Sequence, residues 1–127
     1  MTETKPPERS PVAISGRRHI EHDVLLAALP HPIMVLGDDQ RVIYANPAAE
    51  SFFEASQALL KRQRLDEIVA GDGPLVSLVS QVRRSGATVN EYGVEIATPK
   101  SPTPRLVDIH AGVVPEQPEL TLVMLQQ

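Results

Sequence analysis

Four histidines have the widest chemical range in this sequence, because an imidazole can bind a metal ion, take up a proton or accept a phosphoryl group. They are His19, His22, His31 and His110. The first two stand in the run His-Ile-Glu-His, which lacks the i, i+4 spacing of the zinc motif His-Glu-x-x-His, and no third ligand is apparent. We therefore interpret this pair as exposed side chains at a helix start and expect no metal site.

Proton chemistry remains an option for His110, which follows Asp108 by two residues in an alternating strand pattern. Side chains two residues apart share one face of a strand. His110 is therefore either a pH-sensitive partner on an exposed sheet face or an ordinary surface histidine.

Nucleotide and thiol chemistry find no support in the sequence. Gly71-Asp72-Gly73 is too short for a phosphate-binding loop, and no Gly-Lys-Ser/Thr follows it. The chain has no cysteine, which excludes a disulfide framework, a thiolate metal site and a cysteine-linked chromophore. No pairing of a nucleophile with a base can be argued from spacing.

Length and charge limit the remaining classes of function. The 127 residues suit one domain with a single core. A net charge of −4 and only 3% aromatic residues argue against binding to nucleic acid or anionic membranes. No apolar run approaches the ~20 residues of a membrane-spanning helix, and the N-terminus has no signal-peptide core. We expect a soluble cytoplasmic protein.

The N-terminal part divides into a tail and a helix. Residues 1–18 are polar and rich in proline, and we expect a disordered tail there. Residues 19–29 predict a helix with a wide apolar arc, which indicates burial on two sides, as between the parent sheet and a second subunit. The alternative is a helix that caps its own sheet. The candidate dimer contacts are Ile20, Val24, Leu25, Ala28 and Leu29.

A predicted hairpin and four helical segments follow. Ile33–Leu36 and Arg41–Ala45 are apolar runs joined by the turn residues Gly37-Asp38-Asp39. Asn46-Pro47 predicts a helix start, with the asparagine as cap. The patterns predict short helical turns at Ser56–Leu60 and Leu65–Val69, and a longer helix at Pro74–Ser85 with one apolar face. The basic run 61–64 either binds an acidic partner or is a solvated connector.

Three strands are predicted in the last third. Thr88–Thr98 alternates, with Tyr92, Val94 and Ile96 on one face. Arg105–Val114 alternates as well. Leu120–Leu125 is almost uniformly apolar, which predicts a central strand covered on both faces. The proline-rich segments 99–104 and 115–118 are interpreted as the connecting loops.

This order resembles that of a PAS domain, from Leu25 to Gln126. The hairpin followed by Asn46-Pro47-Ala48-Ala49-Glu50 resembles the opening of that family. The resemblance implies an α+β fold: a five-stranded antiparallel sheet with the helices between strands two and three, plus an N-terminal helix. The domain would then span 19–127.

Within PAS domains, the sequence resembles the N-terminal domain of nitrogen-regulation sensor kinases of the NtrB type. The stretches that carry the resemblance are Leu29-Pro30-His31-Pro32-Ile33, Leu65-Asp66-Glu67-Ile68, residues 74–87 and Val89-Asn90-Glu91-Tyr92. The resemblance implies a sensory and dimerising domain of a cytoplasmic two-component histidine kinase that controls nitrogen assimilation. The implied partners are a second copy, the nitrogen signal protein PII and, through the kinase core, a response regulator.

The same resemblance implies where a signal would leave the domain and what this chain would not do. The output segment would be Leu125, Gln126 and Gln127. Kinases of this type carry a phospho-accepting His-Glu-x-x-Asn-Pro motif, which the sequence lacks. We therefore expect no enzymatic activity from this chain.

The alternative function is a small-ligand sensor of another signalling protein or transcription regulator. Its pocket would lie between the sheet and the helices, at Phe52, Phe53, Ile68 and Val79. No inward charge is apparent, which favours a filled core. Haem-binding PAS domains usually hold iron through a histidine on the helix before the third strand, and Pro74–Ser85 has none. We expect no cofactor.

Overall fold

The computed structural model describes Leu25, residues 27–69 and residues 73–127. The expected tail at 1–18, the histidine pair, and the candidate dimer contacts Ile20 and Val24 lie outside the described residues. So does most of the predicted N-terminal helix, of which Leu25 and Ala27 are described and helical.

The order of elements is the predicted one. Two strands come first, β1 (Ile33–Leu36) and β2 (Val42–Ala45). Four helices follow, α1 (Pro47–Phe53), α2 (Gln57–Leu60), α3 (Leu65–Ile68) and α4 (Pro74–Ser85). The chain ends with β3 (Val89–Thr98), β4 (Ser101–Val114) and β5 (Gln117–Gln126). The strands form one antiparallel sheet in the order β2-β1-β5-β4-β3, which confirms the α+β architecture.

Asn46 links the start of the helices to the start of the sheet. Its side chain is fully buried, and its Oδ1 accepts hydrogen bonds from the backbone nitrogens of Ala49 and Ile33, both at 2.9 Å. Its Nδ2 donates to the carbonyl oxygen of His31 at 3.0 Å. The predicted helix cap is therefore confirmed, and the same side chain also fixes the approach to β1.

The core lies between one face of the sheet and the helices. Helix α4 packs across β3, β4 and β5, and it buries the apolar face that its spacing predicts. Burial of each large apolar side chain is worth ~1.5–3 kcal/mol, so this face anchors the helix. The core side chains of α4 and the facing strands include Leu75, Leu78, Val79, Val82, Val107, Ile109, Val123 and Leu125.

A bulge in β3 corrects the predicted face of Tyr92. Glu91 pairs with Ile109 and Val94 pairs with Val107, so β3 has one residue more than β4 between the two pairs. Gly93 adopts a φ of 66°, which a glycine reaches without steric penalty. The extra residue reverses the alternation, and Tyr92 is 69% exposed on the face opposite to the buried Val94.

The last two strands are longer than predicted. Strand β4 begins at Ser101 and β5 at Gln117, so the proline-rich segments belong largely to strands. Residues 101–107 of β4 pair with β3 alone, because pairing with β5 begins at Asp108. A proline, which has no backbone N–H, is tolerated where one side of a strand has no neighbouring strand to donate a hydrogen bond to.

Strand β5 is central, as predicted, but its two faces differ. Thr121, Val123 and Leu125 are buried on the helix side. Leu122 on the opposite face is 38% exposed. The expectation that both faces are covered is therefore wrong for the chain by itself, because the described helices lie on one side of the sheet.

The two edges of the sheet are blocked in different ways. The connector between α2 and α3 covers the outer edge of β2: Val42 N donates to the Gln63 carbonyl at 3.1 Å, and Leu65 N donates to the Gln40 carbonyl at 2.9 Å. Arg41 and Arg64 form an isolated bridge at the same place. Strand β3, at the other edge, carries the Gly93 bulge.

Candidate functional site

The predicted ligand pocket is filled by its own side chains. Phe52, Phe53, Ile68 and Val79 are all buried, and the two phenyl rings meet edge to face with centroids 4.9 Å apart. Phe53 and Ile68 line a cavity of about 150 Å³, whereas Phe52 and Val79 do not. The structure therefore brings only two of the four residues to one cavity.

A second cavity, of about 180 Å³, lies between the start of α4 and β3, with Val69, Leu75 and Ile96 in its wall. Pockets for drug-sized ligands usually measure ~300–1,000 Å³. Both cavities are smaller than that. A wider and more open groove of about 400 Å³ runs between α4 and the bulge, lined by Gln81, Glu91 and Tyr92 among others.

Arg105 corrects the expectation that no charge points inward. Its guanidinium carbon lies 3.7 Å from the centroid of the Phe52 ring, and Nη2 donates to the Phe52 carbonyl. Its Nε is buried without a hydrogen-bond partner among the described residues. Arg105 shares the inward face of β4 with Val107, so the alternation that predicted the strand also contained this signal.

One arginine of the basic run 61–64 lies close to an acidic side chain. Arg64 and Arg41, which lie side by side, approach the carboxylates of Asp66 and Asp39 respectively, each pair at 3.6 Å. All four side chains are exposed, so the pairs add little stability. Lys61 and Arg62, the other basic residues of the run, are exposed as well. The run is therefore solvated, as the connector interpretation expects.

Metal binding finds no support in residues 27–69 and 73–127. No three histidine, aspartate or glutamate side chains come together there in a way that could hold an ion. Within the same ranges, no helix has the length and apolar character to span a membrane.

The open face of the sheet carries exposed apolar side chains. Tyr92, Leu106 and Leu122 lie on it, from three neighbouring strands. At the N-terminal end, Leu25 is 56% exposed, Leu29 is 42% exposed and Ala28 is exposed too. The described candidate dimer contacts are therefore not used in the core of this chain.

Polar side chains on the same open face are connected in a row by hydrogen bonds. His110 Nδ1 lies 2.6 Å from Asn90 Oδ1, and His110 Nε2 lies 2.9 Å from Gln126 Oε1. Gln126 Nε2 lies 3.3 Å from His31 Nε2. Asp108, which the alternation predicts on the face of His110, accepts from the backbone nitrogen of Gly93 at 2.9 Å.

The expected output segment begins in the core and ends outside it. Leu125 is buried, and its backbone nitrogen donates to the Pro32 carbonyl at 2.9 Å. Gln126 belongs to the row of hydrogen-bonded polar side chains, and Gln127 is exposed. The end of β5 therefore lies beside the start of β1.

The sequence profile of the family described as PAS domain matches residues 22–84. This chain carries a PAS domain. The crystal structure of the PAS domain of nitrogen regulation protein NR(II) from Vibrio parahaemolyticus superposes with a TM-score of 0.68 at 22% identity, covering 83% of this chain and 94% of that one.

Curated relatives of this PAS domain are sensor kinases. The chain is 34% identical to the sensory histidine kinase/phosphatase NtrB of Rhizobium meliloti (strain 1021), over 81% of this chain and 27% of that protein. It is 33% identical to NtrB of Rhizobium leguminosarum bv. phaseoli over the same shares. The PAS domain thus spans about a quarter of the length of these relatives.

Proposed function

We propose that this PAS domain is the sensory and dimerising module of a cytoplasmic NtrB-type histidine kinase that controls nitrogen assimilation. The similarity to NtrB proteins over most of the chain is the observation that carries the proposal. The domain would pair with a second copy and pass a conformational signal to a kinase core. A response regulator and the nitrogen signal protein PII would be partners of the whole protein.

The dimer contact would join the N-terminal helix of one copy to the open sheet face of the other. Leu25 and Leu29 are exposed on the helix side, and Leu106 and Leu122 on the sheet side. One isologous contact would cover both. Ile20, Val24 and Ala28 would complete the helix surface. Each buried side chain adds ~1.5–3 kcal/mol, and association consumes part of this, so we expect a micromolar or tighter dimer.

A substitution in the helix tests this contact. Val24→Asp combined with Leu25→Asp is expected to give a folded monomer in analytical ultracentrifugation. Ala58→Asp combined with Leu59→Asp is the matched control, because both residues are exposed on α2. An unchanged dimer rejects the contact, and an unfolded chain means that the helix caps its own core.

The output would run through Leu125, Gln126 and Gln127. The hydrogen bond from Leu125 N to the Pro32 carbonyl ties this segment to the residues that follow the N-terminal helix. A movement of that helix within the dimer would therefore reach the end of β5 directly. The connection gives the proposed signal a short physical route.

The chain itself is proposed to be non-catalytic. Incubation of the purified 127 residues with labelled ATP is expected to leave them unlabelled. Specific stoichiometric labelling would contradict the assignment of phosphorylation to another part of the kinase. A visible haem or flavin absorption band in protein purified from cells would likewise contradict a cofactor-free sensor.

Arg105 favours a second candidate function, the recognition of a small anionic ligand. Its Nε is buried and has no partner among the described residues, and a carboxylate is the group that pairs best with a guanidinium. Native mass spectrometry of the chain purified from cells is the test. A retained small molecule that is lost in Arg105→Met would establish this candidate, and an empty protein would reject it.

A further inference from the structure

The amide of Gln126 lies between two imidazoles on the open sheet face. Its oxygen is 2.9 Å from His110 Nε2, and its nitrogen is 3.3 Å from His31 Nε2. Both histidines are half-buried, so water can exchange protons with them. His31 lies just before β1, His110 lies in β4, and Gln126 ends β5.

The orientation of the amide, with its oxygen toward His110 and its nitrogen toward His31, sets the role of each facing ring nitrogen. An amide nitrogen donates only, so His31 Nε2 must accept and holds no proton. The amide oxygen accepts only, so His110 Nε2 must donate. His110 Nδ1 lies 2.6 Å from Asn90 Oδ1, which is also an acceptor. With both amide oxygens facing its ring, His110 donates from both nitrogens, while His31 accepts through Nε2.

A proton on His31 Nε2 would face the amide nitrogen, which is a second donor. The contact becomes favourable only if the Gln126 amide turns by half a rotation, so that its oxygen faces His31. Its nitrogen then faces His110 Nε2, which must accept, and His110 keeps a single proton on Nδ1 for Asn90. One amide thus lets only one of the two histidines donate to it.

We propose that Gln126 couples the protonation of His31 to that of His110, and that the position of the proton sets the orientation of the amide. The pair works as a pH-sensitive switch, because an imidazole changes charge in the physiological range. The switch joins the residue that precedes β1 by two positions to the last residue of β5.

Other titratable groups near the switch come from β3 and β4. Asp108 lies on the face of His110 and is the register partner of Gln126. The Tyr92 ring meets the His110 ring edge to face with centroids 6.2 Å apart. On β5, the neighbour on this face is Met124, which does not titrate.

The position of the switch suggests its use. His31 precedes β1, Gln126 ends β5, and the two strands pair through Ile33 and Met124. A turn of the amide would strengthen the link of the last strand either to β4 or to the residues behind the N-terminal helix. This role in signalling rests on the proposed function, whereas the coupling of the two histidines does not.

Nitrogen-15 NMR of the histidine rings in the 127-residue chain tests the coupling at a series of pH values. We expect His31 to keep an unprotonated Nε2 while His110 is protonated at both nitrogens, and His31→Phe to change the His110 ring signals. In Gln126→Met, the effect of His31→Phe on His110 should be lost. Gln117→Met removes an exposed amide from the other end of β5 and should preserve the effect.

Each result bears on the coupling itself. If His31→Phe alters the His110 signals equally with and without Gln126, or not at all, the proposal is wrong. It is also wrong if His31 carries a proton on Nε2 while His110 is doubly protonated. Backbone amide spectra show whether each variant is folded. A failed kinase assignment would leave these ring signals unchanged, so the two proposals fail separately.

Discussion

The guanidinium of Arg105 stacks on the ring of Phe52, with 3.7 Å between its central carbon and the ring centroid. The same side chain donates to the Phe52 carbonyl, so a cation on β4 holds the end of α1 in two ways. A cation over an aromatic ring is worth roughly 0.5–1 kcal/mol at exposed sites and about 2 kcal/mol when desolvated, and Arg105 is half-buried.

Arg105→Met is therefore expected to lower the free energy of unfolding by about 1–2 kcal/mol in urea titrations. Arg105→Lys should recover part of the loss, because it keeps the charge but not the planar stack. Arg84→Met, at an exposed position on α4, is the matched control. A fully stable Arg105→Met would mean that desolvation of the unpaired Nε outweighs both contacts.

Asn46→Ala is expected to destabilise the fold by about 2–4 kcal/mol, because it removes a helix cap and leaves buried backbone donors without an acceptor. Asn46→Asp keeps the acceptor for Ala49 and Ile33 and should lose less. Ser56→Ala removes the exposed cap of α2, where Oγ accepts from Leu59 N at 3.2 Å, and should cost about 0.5–1 kcal/mol. Equal losses for Asn46→Ala and Ser56→Ala in thermal unfolding would refute the linking role of Asn46.

Gly93→Ala tests the bulge. A side chain there would meet open space, so the penalty comes from the positive φ alone and is expected to be about 1–2 kcal/mol. Gly93→Asn should be milder, because asparagine tolerates this conformation better than alanine does. Denaturant unfolding of both variants checks the order. Equal stability of alanine and glycine would show that the bulge moves to another residue.

Acid should remove the contribution of Asp39 to the first hairpin. The pKa of Asp39 is lowered from 3.8, chiefly because its carboxylate accepts a hydrogen bond from the Arg41 backbone N–H. A lowered folded-state pKa means that the carboxylate stabilises the fold above pH 3.8 and loses this effect as the pH falls through the folded-state value. Asp39→Asn should thus be less stable than the parent chain near neutral pH and equal to it in strong acid.

Melting temperatures measured across this pH range, with Asp38→Asn as the control, check the prediction for Asp39. The effect should be small, because the side chain is exposed and solvent screens its interactions. A difference between Asp39→Asn and the parent chain that persists undiminished in strong acid would assign the effect to something other than the charge.

Local patterns were sufficient for much of this fold. The spacing of Leu75, Leu78, Val79 and Val82 predicted the buried face of α4, and Asn46-Pro47 predicted the start of α1. The true start of β4 was hidden because prolines suggest a loop, whereas residues 101–107 lie where the strand has a neighbour on one side only. The single glycine within β3 marks the bulge, which a strictly alternating strand pattern leaves out.

The candidate sites depended on pairings that no local pattern contains. Gln126 and His31 are 95 residues apart, and only the register of β1 against β5 brings them together. The inward position of Arg105 could be predicted from the sequence, because alternation along β4 places it with Val107 on the inward face. The ring of Phe52 that receives it, however, becomes a neighbour only when the helices fold over the sheet.

The blocked edges of the sheet have a consequence for how copies of this protein meet in a crowded cell. An open strand edge can recruit further strands and seed aggregates that grow without limit. Here the connector between α2 and α3 covers β2, and a bulge beside Glu91 and Glu95 interrupts β3. In the proposed dimer, the contact between the faces of two copies would close on itself, and growth would stop at a pair.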